Sequence, residues 1–255
     1  MDYIVLDPGT APPEMDQHCS EAIIRLPHTY FFCSYANESV SAVSRQEAGL
    51  SEAGRVLAAF HNGFKIDPTV FSIWMRLMQS HPDAVLWLLA GAPEMEKNLK
   101  NEAALRGVDP TRLIFAPRIA HQQHLARFAL ADLLLDTPQC NGGTTICDAL
   151  VAGVPVLTCT GAAISQRVAT GLLQAGGFPQ GVTHSLQEYE TTALAWLQTP
   201  GKLAMLRQKL RAARTSAPFY QPHRWIAQFE TALEMAVARQ RSGLPPASFD
   251  LPAVS

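Results

Sequence analysis

The sequence predicts an open, doubly wound α/β sheet. Two patterns carry that prediction. Short apolar runs alternate with helical stretches from Val56 to Thr158, and the turns between them are rich in Gly and Pro. Alternation of this kind implies right-handed parallel crossovers. Size is compatible: 255 residues, 47% hydrophobic and 16% charged, are enough for a self-sufficient core.

Taken in order, Ile4–Leu6 and Tyr30–Phe32 read as two strands around a stretch holding Pro8, Pro12 and Pro13. Residues 37–54 are polar and rich in small residues, which makes them the linker. Val56–Phe60 is a buried strand followed by the turn His61-Asn-Gly63. Pro68 opens a helix whose apolar positions Val70, Phe71, Trp74, Leu77 and Met78 recur at helical spacing. Ala84–Leu89 is the next strand, closed by Gly91 and Pro93, and a charged helix from Glu94 to Arg106 stops at Gly107. Leu113–Phe115 is a strand, Gln122–Phe128 a helix, Leu133–Asp136 a strand, Thr144–Ala152 a helix and Val154–Thr158 a strand. Beyond about Leu186 the chain reads as helical, with Trp196, Leu203, Leu206 and Leu210 in its core. The stretch Gly243-Leu-Pro-Pro-Ala-Ser reads as frayed, so residues 243–255 form a flexible tail. The last helix is expected to expose an apolar stripe through Trp225 and Phe229, favouring self-association.

Composition excludes several classes. Twenty Lys+Arg against twenty-two Asp+Glu give a net charge of −2, without the basic excess a nucleic-acid binder uses to release counterions. The longest apolar run, around Ala84–Ala90, falls well short of the ~18–20 residues of a membrane span. The first residues lack the basic region of a signal peptide. The five cysteines, Cys19, Cys33, Cys140, Cys147 and Cys159, form no Cys-x-x-Cys pair. They read as reduced thiols of a cytoplasmic protein whose partners include neither nucleic acid nor membrane.

In an open α/β sheet, ligands bind at the carboxyl ends of the strands, so the chemistry is sought in the loops there. Leu135-Asp-Thr-Pro-Gln-Cys-Asn-Gly-Gly-Thr-Thr145 runs from a strand into a helix. Gly142 and Gly143 permit close backbone approach, and Thr144 and Thr145 add hydroxyls at a helix start. Free amides and the helix dipole suit an anion there, a diphosphate for example. Asp148, one turn further in, is placed to accept hydrogen bonds from sugar hydroxyls. A tight Thr-capped turn, with Asp148 compensating the dipole, is the alternative. Lys65 stands near a helix start, where the dipole gives it nothing. A ligand phosphate would explain it, as would plain solvation. His121 and His124 share a helical face as metal ligands do, but no third ligand accompanies them in the local sequence, so no metal site is assigned. With Arg127 they offer flat rings and a guanidinium on which a base could stack.

These loops together resemble one family. Phe60-His-Asn-Gly-Phe-Lys-Ile-Asp-Pro68, Pro82-Asp-Ala-Val-Leu-Trp-Leu-Leu89, Arg112-Leu-Ile-Phe-Ala-Pro117, the 135–145 loop and Ala152-Gly-Val-Pro-Val156 occur in the order found in the carboxyl-terminal catalytic lobe of the O-linked N-acetylglucosamine transferase and SPINDLY-like family. Arg167-Val-Ala169 and Ser216-Ala-Pro-Phe219 extend the likeness, which covers about Val56 to Arg239. The resemblance implies a GT-B glycosyltransferase. Residues 55–242 would be its donor-binding lobe, and residues 1–36 the end of a truncated amino-terminal lobe.

Carried over by position, Asn62 and Lys65 fall on the phosphate side, Lys65 being the catalytic cation that steadies the leaving diphosphate. Ile119, His121, His124 and Arg127 frame the uracil and ribose. Gly142, Gly143, Thr144 and Thr145 fall on the diphosphate-binding turn, and Asp148 on the ribose contact. The implied reaction is metal- and cofactor-independent inverting transfer from a UDP-sugar, foremost UDP-N-acetylglucosamine, to Ser or Thr of a protein acceptor. Tetratricopeptide repeats are the partner expected in a full-length enzyme. UDP-glucose or GDP-fucose as donor, or a nucleotide-sugar-binding module without catalysis, are the alternatives. Animal members carry a lysine in place of His121, a histidine in place of Gly143 and an insertion between lobes that is missing here, so the likeness is to the bacterial type. With most of the amino-terminal lobe missing, the chain is expected to be inactive alone.

Overall fold

The computed structural model describes residues 1–39 and 41–253. Its strands in chain order are β1 (Tyr3–Leu6), β2 (Ala22–Arg25), β3 (Val56–Ala59), β4 (Val85–Leu89), β5 (Leu113–Ala116), β6 (Leu133–Leu135), β7 (Val156–Cys159), β8 (Val182–Thr183) and β9 (Phe249–Asp250). The α-helices are α1 (Pro68–Ser80), α2 (Pro93–Leu105), α3 (His121–Phe128), α4 (Thr144–Ala152), α5 (Val168–Ala175), α6 (Leu186–Gln198), α7 (Lys202–Ala213) and α8 (Pro222–Arg241).

The continuous apolar runs are strands because helices cover both sheet faces, leaving no solvent side to demand alternation. Val56, Leu57, Ala58 and Ala59 are all buried, as are Leu133, Leu134 and Leu135. All pairings in the main sheet are parallel, and its order is β5-β4-β3-β6-β7-β8. From β3 the chain steps outward one way through β4 and β5. It then returns to the other side of β3 and steps outward through β6, β7 and β8. The strand order reverses between β3 and β6, and that topological switch point is where open α/β sheets form their ligand crevice.

Local chemistry sets the helices. Asp67 caps α1, accepting from the amides of Thr69 at 2.8 Å and Val70 at 3.1 Å, with Pro68 as first helical residue. Its Trp74 is fully buried and donates to the Tyr189 hydroxyl at 3.2 Å, locking α1 to α6. α4 is apolar almost all round, as expected of a helix inside the structure. It ends at Gly153, whose φ of +69° only glycine adopts freely.

The three-stranded sheet corrects three sequence expectations. First, the partner of β1 is Ala22–Arg25 rather than Tyr30–Phe32. The Tyr30 and Phe31 amides are taken by side chains, Asp7 Oδ2 at 3.1 Å and Thr29 Oγ1 at 3.0 Å, which satisfies them without a ladder. Second, the tail is docked: β9 pairs in parallel with β2. Ser248 Oγ accepts from the Ile23 amide at 2.9 Å, and Leu251 is buried. Third, Trp225 and Phe229 do not form an exposed stripe. Their rings stack at 4.9 Å inside a cluster with Ile24, Leu26 and Leu251, and Trp225 Nε1 donates to the Thr29 carbonyl at 2.9 Å. The apolar residues that α8 does expose are Ile226, Leu233, Met235 and Val237. Among the described residues no helix is long and apolar enough to cross a membrane.

Candidate functional site

The loops after β3 and β6 diverge at the switch point, and a cavity of about 310 Å³ opens between them. It is lined by Asn62, Lys65, Ile119, His121, His124, Arg127, Gly143, Thr144, Thr145 and Asp148. The structure therefore brings every residue singled out from the sequence to one cavity except Gly142. That glycine is buried behind the lining, its amide donating to Asp136 Oδ1 at 2.8 Å. The role available to it is to shape the turn. A Cβ there would stand 2.9 Å from the His61 ring.

One end of the cavity is built by a 3-10 turn and a helix start. Lys65 closes the turn Gly63–Lys65, and its Nζ crosses to the Asn141 carbonyl at 2.7 Å. That contact ties the β3 loop to the β6 loop. The amides of Thr144 and Thr145, the first two of α4, precede the helix's first intrahelical hydrogen bond, and the helix dipole adds positive potential where they point. Gly143 caps the helix, its carbonyl accepting from Ile146 at 3.0 Å and Cys147 at 3.1 Å. Any side chain at Gly143 would meet the Phe31 ring, 2.8 Å from the Cβ position. Phe31 thus fills the space a larger residue would need.

The other end is a carboxylate framed by rings. Asp148 Oδ1 accepts from the Tyr35 hydroxyl at 2.8 Å and faces His121 Nε2 at 3.0 Å, while Oδ2 lies 3.7 Å from His124 Nε2. The carboxylate missing from the local sequence of the two histidines thus arrives from α4. Even so, among the described residues no group of three or more His, Cys, Asp or Glu side chains could hold a metal ion. Burial, and then Arg127, hold His124 down to about pKa 4, so it is neutral near pH 7. Arg127 Nε donates to His124 Nδ1 at 3.2 Å, which leaves the ring proton on Nε2 facing Asp148. Arg127 Nη1 donates to the Pro117 carbonyl at 2.6 Å, and its guanidinium covers the Phe60 ring at 5.4 Å. Burial, together with the Asp148 charge, raises the Tyr35 phenol, which stays protonated as a donor.

Sequence reasoning missed Phe60, His61, Leu89 and Arg118 in the wall, and Tyr35 behind it. Only Phe60 and His61 had a local signal, since they flank the marked turn. His61 is fully buried, and burial followed by Lys65 lowers it to about pKa 3, so it is a neutral ring. Its Nε2 faces the Leu135 carbonyl at 3.3 Å, and its Nδ1 has no hydrogen-bond partner among the described residues.

A parallel sheet of this order, with its crevice at the switch point, defines a doubly wound, Rossmann-type lobe. Comparison with known proteins narrows the class. The model of glycosyl transferase family 41 matches residues 33–229, and the chain belongs to that family. It is 34% identical over 256 residues to the Arabidopsis thaliana protein named probable UDP-N-acetylglucosamine–peptide N-acetylglucosaminyltransferase SEC, covering 98% of this chain and 26% of that protein. A Caenorhabditis elegans UDP-N-acetylglucosamine–peptide N-acetylglucosaminyltransferase is also 34% identical, over 207 residues, covering 81% of this chain and 18% of the relative. A solved Thermobaculum terrenum O-GlcNAc transferase superposes with a TM-score of 0.80 at 30% identity, covering 92% of this chain and 45% of that one. The fold recurs at 16% identity and a TM-score of 0.58 in Anabaena HepE, a structure in complex with UDP and glucose, over 90% of this chain and 71% of that one. The chain thus spans about a quarter or less of the curated relatives' length and under half of the bacterial structure.

Proposed function

We propose that this lobe binds the nucleoside diphosphate of a UDP-sugar, UDP-N-acetylglucosamine foremost. A protein containing it would transfer the sugar, with inversion, to Ser or Thr hydroxyls of a protein acceptor in the cytoplasm. Tetratricopeptide repeats would present the acceptor. One juxtaposition carries the reading: Lys65 and the first turn of α4 line the same cavity as the ring-framed Asp148. A diphosphate at the cationic end puts the nucleoside toward the loop from Ile119 to Arg127, with the ribose hydroxyls within reach of Asp148.

In the transfer, the acceptor oxygen bonds to the anomeric carbon as the bond from that carbon to the diphosphate oxygen breaks. The diphosphate departs carrying the electron pair. Lys65 and the α4 dipole stabilise that growing charge, which is electrostatic assistance rather than proton transfer. No residue of this chain is assigned to take the acceptor's proton. Calorimetric titration of the chain with UDP and with GDP tests the reading. UDP should bind in preference to GDP, and Lys65→Ala should weaken UDP by about 1–3 kcal/mol, the range of a charge-assisted contact. Absence of UDP binding, or indifference to Lys65→Ala, would refute it.

A further inference from the structure

Arg118 lies one residue before Ile119 in the loop after β5, and no motif marks it. Its exposed guanidinium reaches the loop after β3, where Nη2 donates to Asn62 Oδ1 at 2.7 Å. Among the described residues this is its one side-chain hydrogen bond. Asn62 is the cap of the turn that ends in Lys65, and its carbonyl accepts the Lys65 amide at 2.9 Å. A single short turn therefore carries one cation and anchors another, and both side chains line the switch-point cavity.

The third cation of that cavity is committed elsewhere. Arg127 is buried and spends its donors on the Pro117 carbonyl and His124. Arg118 is exposed and keeps most of its five N–H groups for a ligand. It also stands on the divide to a second cavity, of about 600 Å³, which shares His61, Asn62 and Leu89 with the first and is walled by Phe64, Gly91 and Met95. A donor whose nucleoside lies against His124 and Arg127 would extend its far phosphate toward that divide.

We propose that Arg118 is a second diphosphate-binding cation, docked on Asn62 so that its guanidinium meets the phosphate on the sugar side of the donor. The proposal rests on the donor-site reading above. A planar fork suits this role, because it can give one N–H to Asn62 Oδ1 and others to phosphate oxygens at once.

The test is titration of the chain and of Arg118→Ala, Arg118→Gln and Arg118→Lys with UDP, UMP and uridine. Arg118→Gln keeps a donor for Asn62 while removing the charge, so it separates ligand binding from support of the loop. Both neutral variants should bind UDP about tenfold more weakly, with UMP and uridine unchanged, and Arg118→Lys should recover part of the loss. The UDP deficit should shrink as salt is raised. Wild-type affinity for UDP in both neutral variants would overturn the proposal and leave the donor site standing. A loss shared by uridine would assign Arg118 to structure, and an equal loss for UMP would overturn the sugar-side assignment. Failure of the wild-type chain to bind UDP would overturn the donor-site reading and this inference with it.

Discussion

Beneath the crevice, Asp136 is a fully buried carboxylate that organises the loop leading into α4. Oδ1 accepts from the Gly142 amide at 2.8 Å and Oδ2 from the Thr158 hydroxyl at 2.6 Å. Its backbone carbonyl accepts from the Tyr189 hydroxyl at 3.1 Å. Burial lifts its pKa from 3.8 to about 6, outweighing those donors and the nearby Lys65 charge. An acid lifted in this way keeps its proton longer in the folded state than in the unfolded one. The cost of ionising it is absent below about pH 3.8, grows through the window and is complete above about pH 6. A lift of about two units, at about 1.36 kcal/mol each, amounts to about 3 kcal/mol.

Asp136→Asn conserves shape and an acceptor for Gly142 but cannot ionise. Measured against wild type, its unfolding free energy should therefore improve by about 2.5 kcal/mol between pH 4 and pH 7.5, the first ~0.5 kcal/mol of the full linkage having accrued by pH 4. His61, with Nε2 at 3.5 Å from Asp136 Oδ1, imposes the opposite slope. Its pKa is depressed to about 3, so the stability it contributes is lost as pH falls from about 6.5 toward 3. Because the two side chains face each other, their titrations couple, and the difference between the two proteins reports Asp136 together with that coupling. Urea denaturation of the pair at the two pH values is the assay. A difference that is unchanged with pH, or that favours wild type at the higher pH, would refute the reasoning.

Two further predictions concern the supports of the site. Tyr35→Phe removes the hydroxyl that donates to Asp148 at 2.8 Å and should cost about 1 kcal/mol, which a thermal melt would register as a fall of about 2–4 °C. An unchanged melt would show that the bond contributes nothing net. Deleting residues 243–255 removes β9 and Leu251 and uncovers Ile24 and Leu26, which should lower the melting temperature and leave UDP affinity unaltered, since none of these lines the cavity. A melt identical to that of the full chain would contradict the docked tail.

The main sheet was legible because each of its longer strands is a continuous apolar run bounded by a helix with its own start signal. Asp67 before Pro68 and the Gly-Gly-Thr-Thr turn are examples. Of the small sheet only β1, read as Ile4–Leu6, was legible. Tyr30–Phe32 has the aromatic composition of a strand, yet its amides bond to Asp7 and Thr29 side chains, which composition does not report. The true strand ends in Arg25, a buried charge whose partners Asp16 and Asp250 lie elsewhere in the chain. β9 is two residues long and its Asp250 pairs with Arg25 across 225 positions, beyond any local pattern. The same distance effect explains the site. Residues within the marked loops converge, whereas Tyr35 reaches Asp148 across 113 positions and Arg118 reaches Asn62 across 56.

In the proposed donor complex, the switch-point cavity holds a nucleoside diphosphate with its phosphates against Lys65 and the first turn of α4. A crystal structure of the chain with UDP tests it most directly. Phosphate oxygens should lie within hydrogen-bond distance of Lys65 Nζ and the Thr144 and Thr145 groups, with the ribose at Asp148. UDP bound elsewhere, for instance in the cavity beside Phe64 and Met95, or with its phosphates directed away from Lys65, would contradict it.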